Sequence, residues 1–261
     1  MRSTDYEGSI HLNYARGRQL TDDQHQAWND ALAEHLPSRR PLLGLDLGSG
    51  VGRFTPHLAE AFGPVVGVEP SAAMRGVAEA ESVHPRVRYT AGSAETIPAE
   101  DDTFDYCLMF LVWHHVSDRD RAAREIRRVL KPGGTLLCRT QFSDRMPDLW
   151  WRSHFPHGRE VDAAMYRPLA TELATFVAAG LTPAPGLIWV HQPSAGTKQA
   201  ALEQLRTRTL STLARMPDAD VAAGFASLEE EVAADPGAVS PGVPGSVLVL
   251  RKPSRGRTDE G

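Results

Sequence analysis

Short apolar runs alternate with longer amphipathic stretches through the first half of the chain, the pattern of parallel strands crossed over by helices. Residues 42–47, Leu42-Leu43-Gly44-Leu45-Asp46-Leu47, read as a buried strand. Further strands are predicted over 65–69, 86–90, 104–110 and 135–139, the fourth broken only by Asp105 near its start. Helices are predicted over 21–36, with Thr21 and Asp22 as caps and Pro37 as the stop, over 53–62, from Ser71 onward, and over 118–130, ended by Lys131-Pro132-Gly133-Gly134. The second half is less regular. It predicts helices over 168–179, 197–215 and 218–234, a sixth strand over 186–191, a Pro/Gly-rich linker over 236–245 and a last strand over 246–251. The architecture expected is α/β: one doubly wound, seven-stranded, mostly parallel sheet. Residues 1–40 are expected as an N-terminal helical lid and 41–253 as the main domain, with its core in 41–141. Insertions at about 142–165 and 194–240 are expected to cap the carboxyl ends of the strands, and 254–261 to be a disordered polar tail.

Composition narrows the function classes. The 261 residues are 41% hydrophobic and 23% charged, ordinary for a globular domain, and no apolar run approaches the length needed to cross a bilayer. The formal net charge of −5, with signs interspersed, offers no basic face for phosphates, so neither nucleic acid nor membrane is an expected partner. Monomer and homodimer stay equally open. The only cysteines, Cys107 and Cys138, fall inside strand patterns as small core residues, and the start of the chain lacks the basic and apolar segments of a secretory signal. A reducing, cytoplasmic location is expected.

The first strand runs into Gly48-Ser49-Gly50-Val51-Gly52 and then a helix, a turn in which glycines let a ligand approach the backbone closely. A dinucleotide fingerprint would need a glycine where Arg53 stands, which weakens a nicotinamide oxidoreductase reading. Asp46, just before the turn, would oppose a phosphate and suit an ammonium or sulfonium group. Glu69 ends the second strand 19 residues after Gly50, placed either to accept hydrogen bonds from two ribose hydroxyls or to cap the helix that begins at Ser71.

These motifs, Asp46-Leu47-Gly48-Ser49-Gly50-Val51-Gly52, Val68-Glu69-Pro70-Ser71, Gly92-Ser93-Ala94-Glu95, Phe104-Asp105-Tyr106, His114-His115-Val116-Ser117-Asp118 and Val129-Leu130-Lys131-Pro132-Gly133-Gly134, resemble those of the class I S-adenosylmethionine-dependent methyltransferases. The likeness is greatest to the branch of quinone-biosynthesis and natural-product enzymes, and covers 41–141. It implies a Rossmann-like methyltransferase fold, S-adenosylmethionine as cofactor with S-adenosylhomocysteine as product, and a small-molecule acceptor. Gly48, Ser49 and Gly50 would face the methionine moiety, Glu69 the ribose, and Pro70, Met74, Ser93, Ala94 and Glu95 the adenine, with Phe110 and Leu111 at the fourth strand's end. Core packing is the other reading of Met74. The resemblance also implies that a segment such as 6–20 folds over the cofactor, with Tyr14 and Arg18 toward its carboxylate; solvated surface is the alternative.

Methyl transfer from a sulfonium is an in-line displacement, so the protein must chiefly align the partners and exclude water, and a general base is optional. His114 and His115, after the fourth strand, are the candidate bases, His114 being favoured as substrate-facing; packing, or capping the helix near Asp118, is the alternative. His115 and Asp118 make only a weak metal pair, and no metal is expected. Trp113, Trp150, Trp151 and Phe155 are candidates for an apolar acceptor site or for packing of the insertion. A cofactor-binding member of the fold without methyl transfer is the remaining alternative.

Overall fold

The computed structural model describes residues 20–208 and 210–254. Tyr14, Arg18, the first half of the expected lid and the tail from 255 lie outside the described residues.

Strands β1 (Gly44–Leu47), β2 (Val65–Glu69), β3 (Val87–Ala91), β4 (Phe104–Phe110) and β5 (Leu130–Arg139) pair in parallel in the order β3-β2-β1-β4-β5. Strand β8 (Pro244–Arg251) joins β5 antiparallel, from Thr135 opposite Arg251 to Arg139 opposite Val247. The outer edge of β8 carries two short strands, β6 (Thr182–Pro183) and β7 (Ile188–His191). The sixth strand expected over 186–191 is β7, and β6 is an additional short strand before it, with Gly186, at φ +74, between the two.

Strands buried on both faces read as continuous apolar runs, and β1, β2 and the first six residues of β4 are buried at every position. Their side chains alternate between two cores. Cys107, Met109, Leu136, Cys138, Leu248 and Leu250 share one with Ala122, Ile126 and Phe176. Tyr106, Leu108, Leu137, Val247 and Val249 share the other with Trp28, Leu32, Leu58 and Phe62.

Helix α1 (Asp22–Ala33) opens on a capping box in which Thr21 and Gln24 satisfy each other's backbone N–H groups. Helix α2 (Thr55–Phe62) has proline in its first turn, and α3 (Ala72–Glu81) is capped by Ser71 accepting from the Met74 N–H. Helix α4 (Arg119–Val129) is capped by Asp118, not by His115. The Lys131–Gly134 turn expected after it is absorbed into the start of β5: Leu130 pairs with Phe104, and the register shifts before Tyr106 meets Thr135.

Helices α5 (Gly158–Met165), α6 (Leu169–Ala178), α7 (Lys198–Arg206), α8 (Ser211–Arg215) and α9 (Asp218–Ala234) complete the α-helices of the described residues. Helix α5 escapes the apolar pattern because its inward position is Asp162, which accepts from Thr212 Oγ1 and pairs with Arg152 at 3.0 Å. The single helix expected over 197–215 is broken where Arg208 takes φ +51, which turns Leu213 and Met216 into a third core with Trp151, Phe155, Leu202 and Leu228. No helix among the described residues is long and apolar enough to cross a membrane.

Candidate active site

The chain order reverses between β2-β1 and β1-β4, which leaves a crevice at the carboxyl ends of β1 and β4. A cavity of about 150 Å³ lies there, bounded by the 46–54 turn, Glu69, Pro70, Met74 and the stretch from Phe110 to Val112 with His115. Gly48 adopts φ +79, and a β-carbon on it would lie 2.5 Å from the Val112 side chain. Gly50 adopts φ +57 with Met74 beside it. Any side chain at Gly48 would therefore displace the cavity's floor.

The Glu69 carboxylate accepts one hydrogen bond from the Gly50 N–H and one from the Ser71 N–H, both at 2.9 Å. It therefore joins the glycine turn to the start of α3, satisfying part of the capping expectation. Asp46 is buried at 2% exposure and accepts from Thr55 Oγ1 at 2.7 Å; burial lifts its pKa to about 6. Among the described residues Ser49 Oγ is buried without a hydrogen-bond partner. Leu111 holds φ +60, unusual outside glycine, with its N–H donating to the Arg139 carbonyl at 2.8 Å, and so turns the chain across the cavity.

The structure gathers Asp46, Gly48, Ser49, Gly50, Glu69, Pro70, Met74, Phe110, Leu111 and His115 around this one cavity. Ser93, Ala94 and Glu95 are not among its lining. Ala94 is buried in the sheet core, Ser93 bridges to Thr96, and Glu95 accepts from the Ser117 and Asp118 N–H groups at the start of α4. His114 is not among the lining either: its ring lies 3.9 Å from that of His115 and 4.8 Å from that of Tyr166. Trp113 is a core residue, stacked on Phe176 at 4.4 Å, and Trp151 and Phe155 pack into the third core. Trp150 lies partly buried against that core, beneath Lys198.

Residues the sequence did not single out also line the cavity. The Phe54 ring stacks on Phe110 at 4.3 Å, and the Arg53 guanidinium lies 5.4 Å from the Phe110 ring. Their only local signal is their place directly after the glycine turn. Among the described residues no three His, Cys, Asp or Glu side chains gather to hold a metal ion.

Residues 45–138, the segment that builds this crevice, match the family model described as a methyltransferase domain. Over this segment the chain is similar to methyltransferase domains. Demethylmenaquinone methyltransferase of Staphylococcus aureus is 32% identical over 123 residues, 46% of this chain and 51% of that enzyme, so the chain spans about half the length of the curated relatives it matches. Among solved structures, phosphoethanolamine N-methyltransferase 2 of Haemonchus contortus in complex with S-adenosyl-L-methionine aligns at a TM-score of 0.61 and 17% identity, over 97% of this chain and 61% of that one. The [4+2]-cyclase SpnF aligns at 0.61 and 20%, over 96% and 94%. The methyltransferase domain fold is thus shared by proteins named for different reactions, and function has to be argued from the site.

Proposed function

We propose that this chain transfers a methyl group from S-adenosylmethionine to a small-molecule acceptor, an apolar or aromatic metabolite or cofactor precursor, bound between the cavity and the cap made by residues 142–165 and 194–240. The observation that carries the reading is the convergence of the Gly48–Gly50 turn, Asp46, Glu69 and His115 on one cavity.

The residues present fit the cofactor. Gly48 and Gly50 leave the space a β-carbon would fill, Ser49 Oγ is a buried group that lacks a partner among the described residues, and Asp46 and Glu69 give the cavity acidic walls suited to a cation. Glu69 would accept hydrogen bonds from the ribose hydroxyls, while Pro70 and Met74 flank the adenine. When bound, the cofactor supplies an electrophilic methyl on a sulfonium. The work left to the protein is alignment and exclusion of water, for which Phe54, Phe110, Leu111 and Val112 are suited, with His115 placed to take the proton of a hydroxyl acceptor. The likeness to a cyclase keeps a second reading alive, in which the same pocket serves a reaction other than methyl transfer.

Calorimetry tests the cofactor. S-Adenosylmethionine and S-adenosylhomocysteine are expected to bind at about 1 μM, near −8 kcal/mol, and Glu69→Ala to weaken both by about 1–3 kcal/mol. Absence of binding, or preferential binding of a nicotinamide dinucleotide, would overturn the reading.

A further inference from the structure

The short 3-10 turn Trp113–His115, which delivers His115 to the cavity, rests on a buried ionic ring outside the cavity lining. Trp113 Nε1 donates to Glu172 Oε2 at 2.8 Å, and Glu172 Oε1 pairs with Arg119 Nη1 at 3.2 Å. Arg119 Nε returns to the Trp113 carbonyl at 3.3 Å, which closes the ring. The side chains of Arg119 and Glu172 are only 9% and 4% exposed. Phe176, one helical turn beyond Glu172 on α6, stacks on the Trp113 indole. Beside Trp113, His114 lies against Tyr166, three residues before α6 begins, and against His115. The histidine turn is therefore held by α4 and by both ends of the segment 166–176.

Stability alone does not call for this construction. Desolvating two charges is costly, and an apolar pair of similar volume is often as stable or more so. What a closed ring of directional bonds provides beyond an apolar contact is a single geometry: Trp113 has both its indole N–H and its carbonyl fixed, and the chain emerges from it at one angle. His115 lies two residues further on.

We propose that Glu172 is a positioning residue for His115, and that it acts through Trp113 and Arg119 to keep the imidazole turned to the cofactor cavity. The assignment rests on the methyl-transfer reading of that cavity. It places the control of the candidate base in α6, outside the segment that matches the methyltransferase family, so the chain after 138 sets the geometry of the site.

The test follows histidine ring signals by NMR in the full-length protein, assigned with His114→Gln and His115→Gln, before and after saturation with S-adenosylhomocysteine. In the wild type the His115 signal is expected to shift on binding. Glu172→Gln keeps an acceptor for Trp113 but sets an amide N–H₂ against Arg119. It is expected to reduce that shift to about half or less while calorimetric affinity stays within about threefold of wild type, because no ligand contact is removed. Glu172→Leu is expected to abolish the shift; if it fails to fold, the isosteric glutamine variant decides alone. A merely structural Glu172 would alter melting temperature and leave the ligand response of His115 unchanged. An unchanged response in Glu172→Gln overturns the proposal and leaves the methyl-transfer reading standing. Failure of wild-type protein to bind S-adenosylhomocysteine overturns both.

Discussion

His115 and His114 are neighbours in sequence with opposite surroundings. His115 borders the cavity, whereas His114 is packed between the rings of His115 and Tyr166. For a hydroxyl acceptor, His115→Ala is therefore expected to lower kcat by about 10²–10⁴-fold and to remove the acidic limb of the pH–rate profile, with cofactor affinity nearly intact. His114→Ala is expected to lose about 1–3 kcal/mol of stability and little rate, since it removes packing and not the cavity-facing imidazole. Steady-state kinetics across pH, together with thermal melts, separate the two, and full turnover in His115→Ala would leave alignment as the whole mechanism. The sequence favours His114 because position alone cannot say which way a 3-10 turn points its side chains. By contrast Asp46, Gly48, Gly50 and Glu69 were legible, because a glycine turn between a strand and a helix is local chemistry that few other contexts require. Glu172 was not, because its role depends on a partner 59 residues away; Leu111 was expected at the strand end, but not the positive φ with which it turns the chain there.

Elements were legible where one principle dominated. Helix α9 runs over the residues its pattern predicts, and α1, α3 and α4 begin at side chains that cap them. They were illegible where tertiary contacts overrode the pattern, as in α5, with a buried carboxylate facing inward, and in the break between α7 and α8. Gly224 in α9 shows how such a contact sets a sign. Helix propensity alone would make Gly224→Ala stabilising by about 1 kcal/mol. A β-carbon there, however, would overlap the Phe155 ring, which is itself held between Trp151 and Phe225. Overpacking of a confined ring costs about 1–3 kcal/mol, so Gly224→Ala is expected to be net destabilising by about 1 kcal/mol in denaturant titrations. A stabilised variant would show that the ring can move aside.

Two buried groups, His25 and Asp46, give the molecule a compensated response to acid. His25 stacks on His57 at 3.5 Å; burial, then His57 and Arg53, hold its pKa at about 4. Unfolded histidine binds a proton that the folded one refuses, so this contribution is complete above about pH 6.5 and is lost as pH falls toward 4. Asp46, raised to about 6 by burial, has the opposite sign: the folded chain holds a proton that the unfolded chain has released, so stability falls as pH rises from about 4 to 6. Asp46→Asn is therefore expected to show a steeper loss of stability than wild type between pH 6.5 and 4.5, by about 2 kcal/mol, and His25→Gln a shallower one, measured by denaturant unfolding at the two pH values. Equal slopes in all three proteins would show that neither group titrates in that window. The third core has a different consequence. Its side chains come from two stretches of chain, Trp151 and Phe155 on one side of β6 and β7 and Leu202 to Val232 on the other, yet they form one packed body. Neither stretch can be exchanged for a foreign sequence without stripping the other of its counterpart. Acceptor preference, if it resides in this body, would then be inherited or transplanted only as a matched pair of segments, and a chimera that carries one alone would fail in packing before its selectivity could be read.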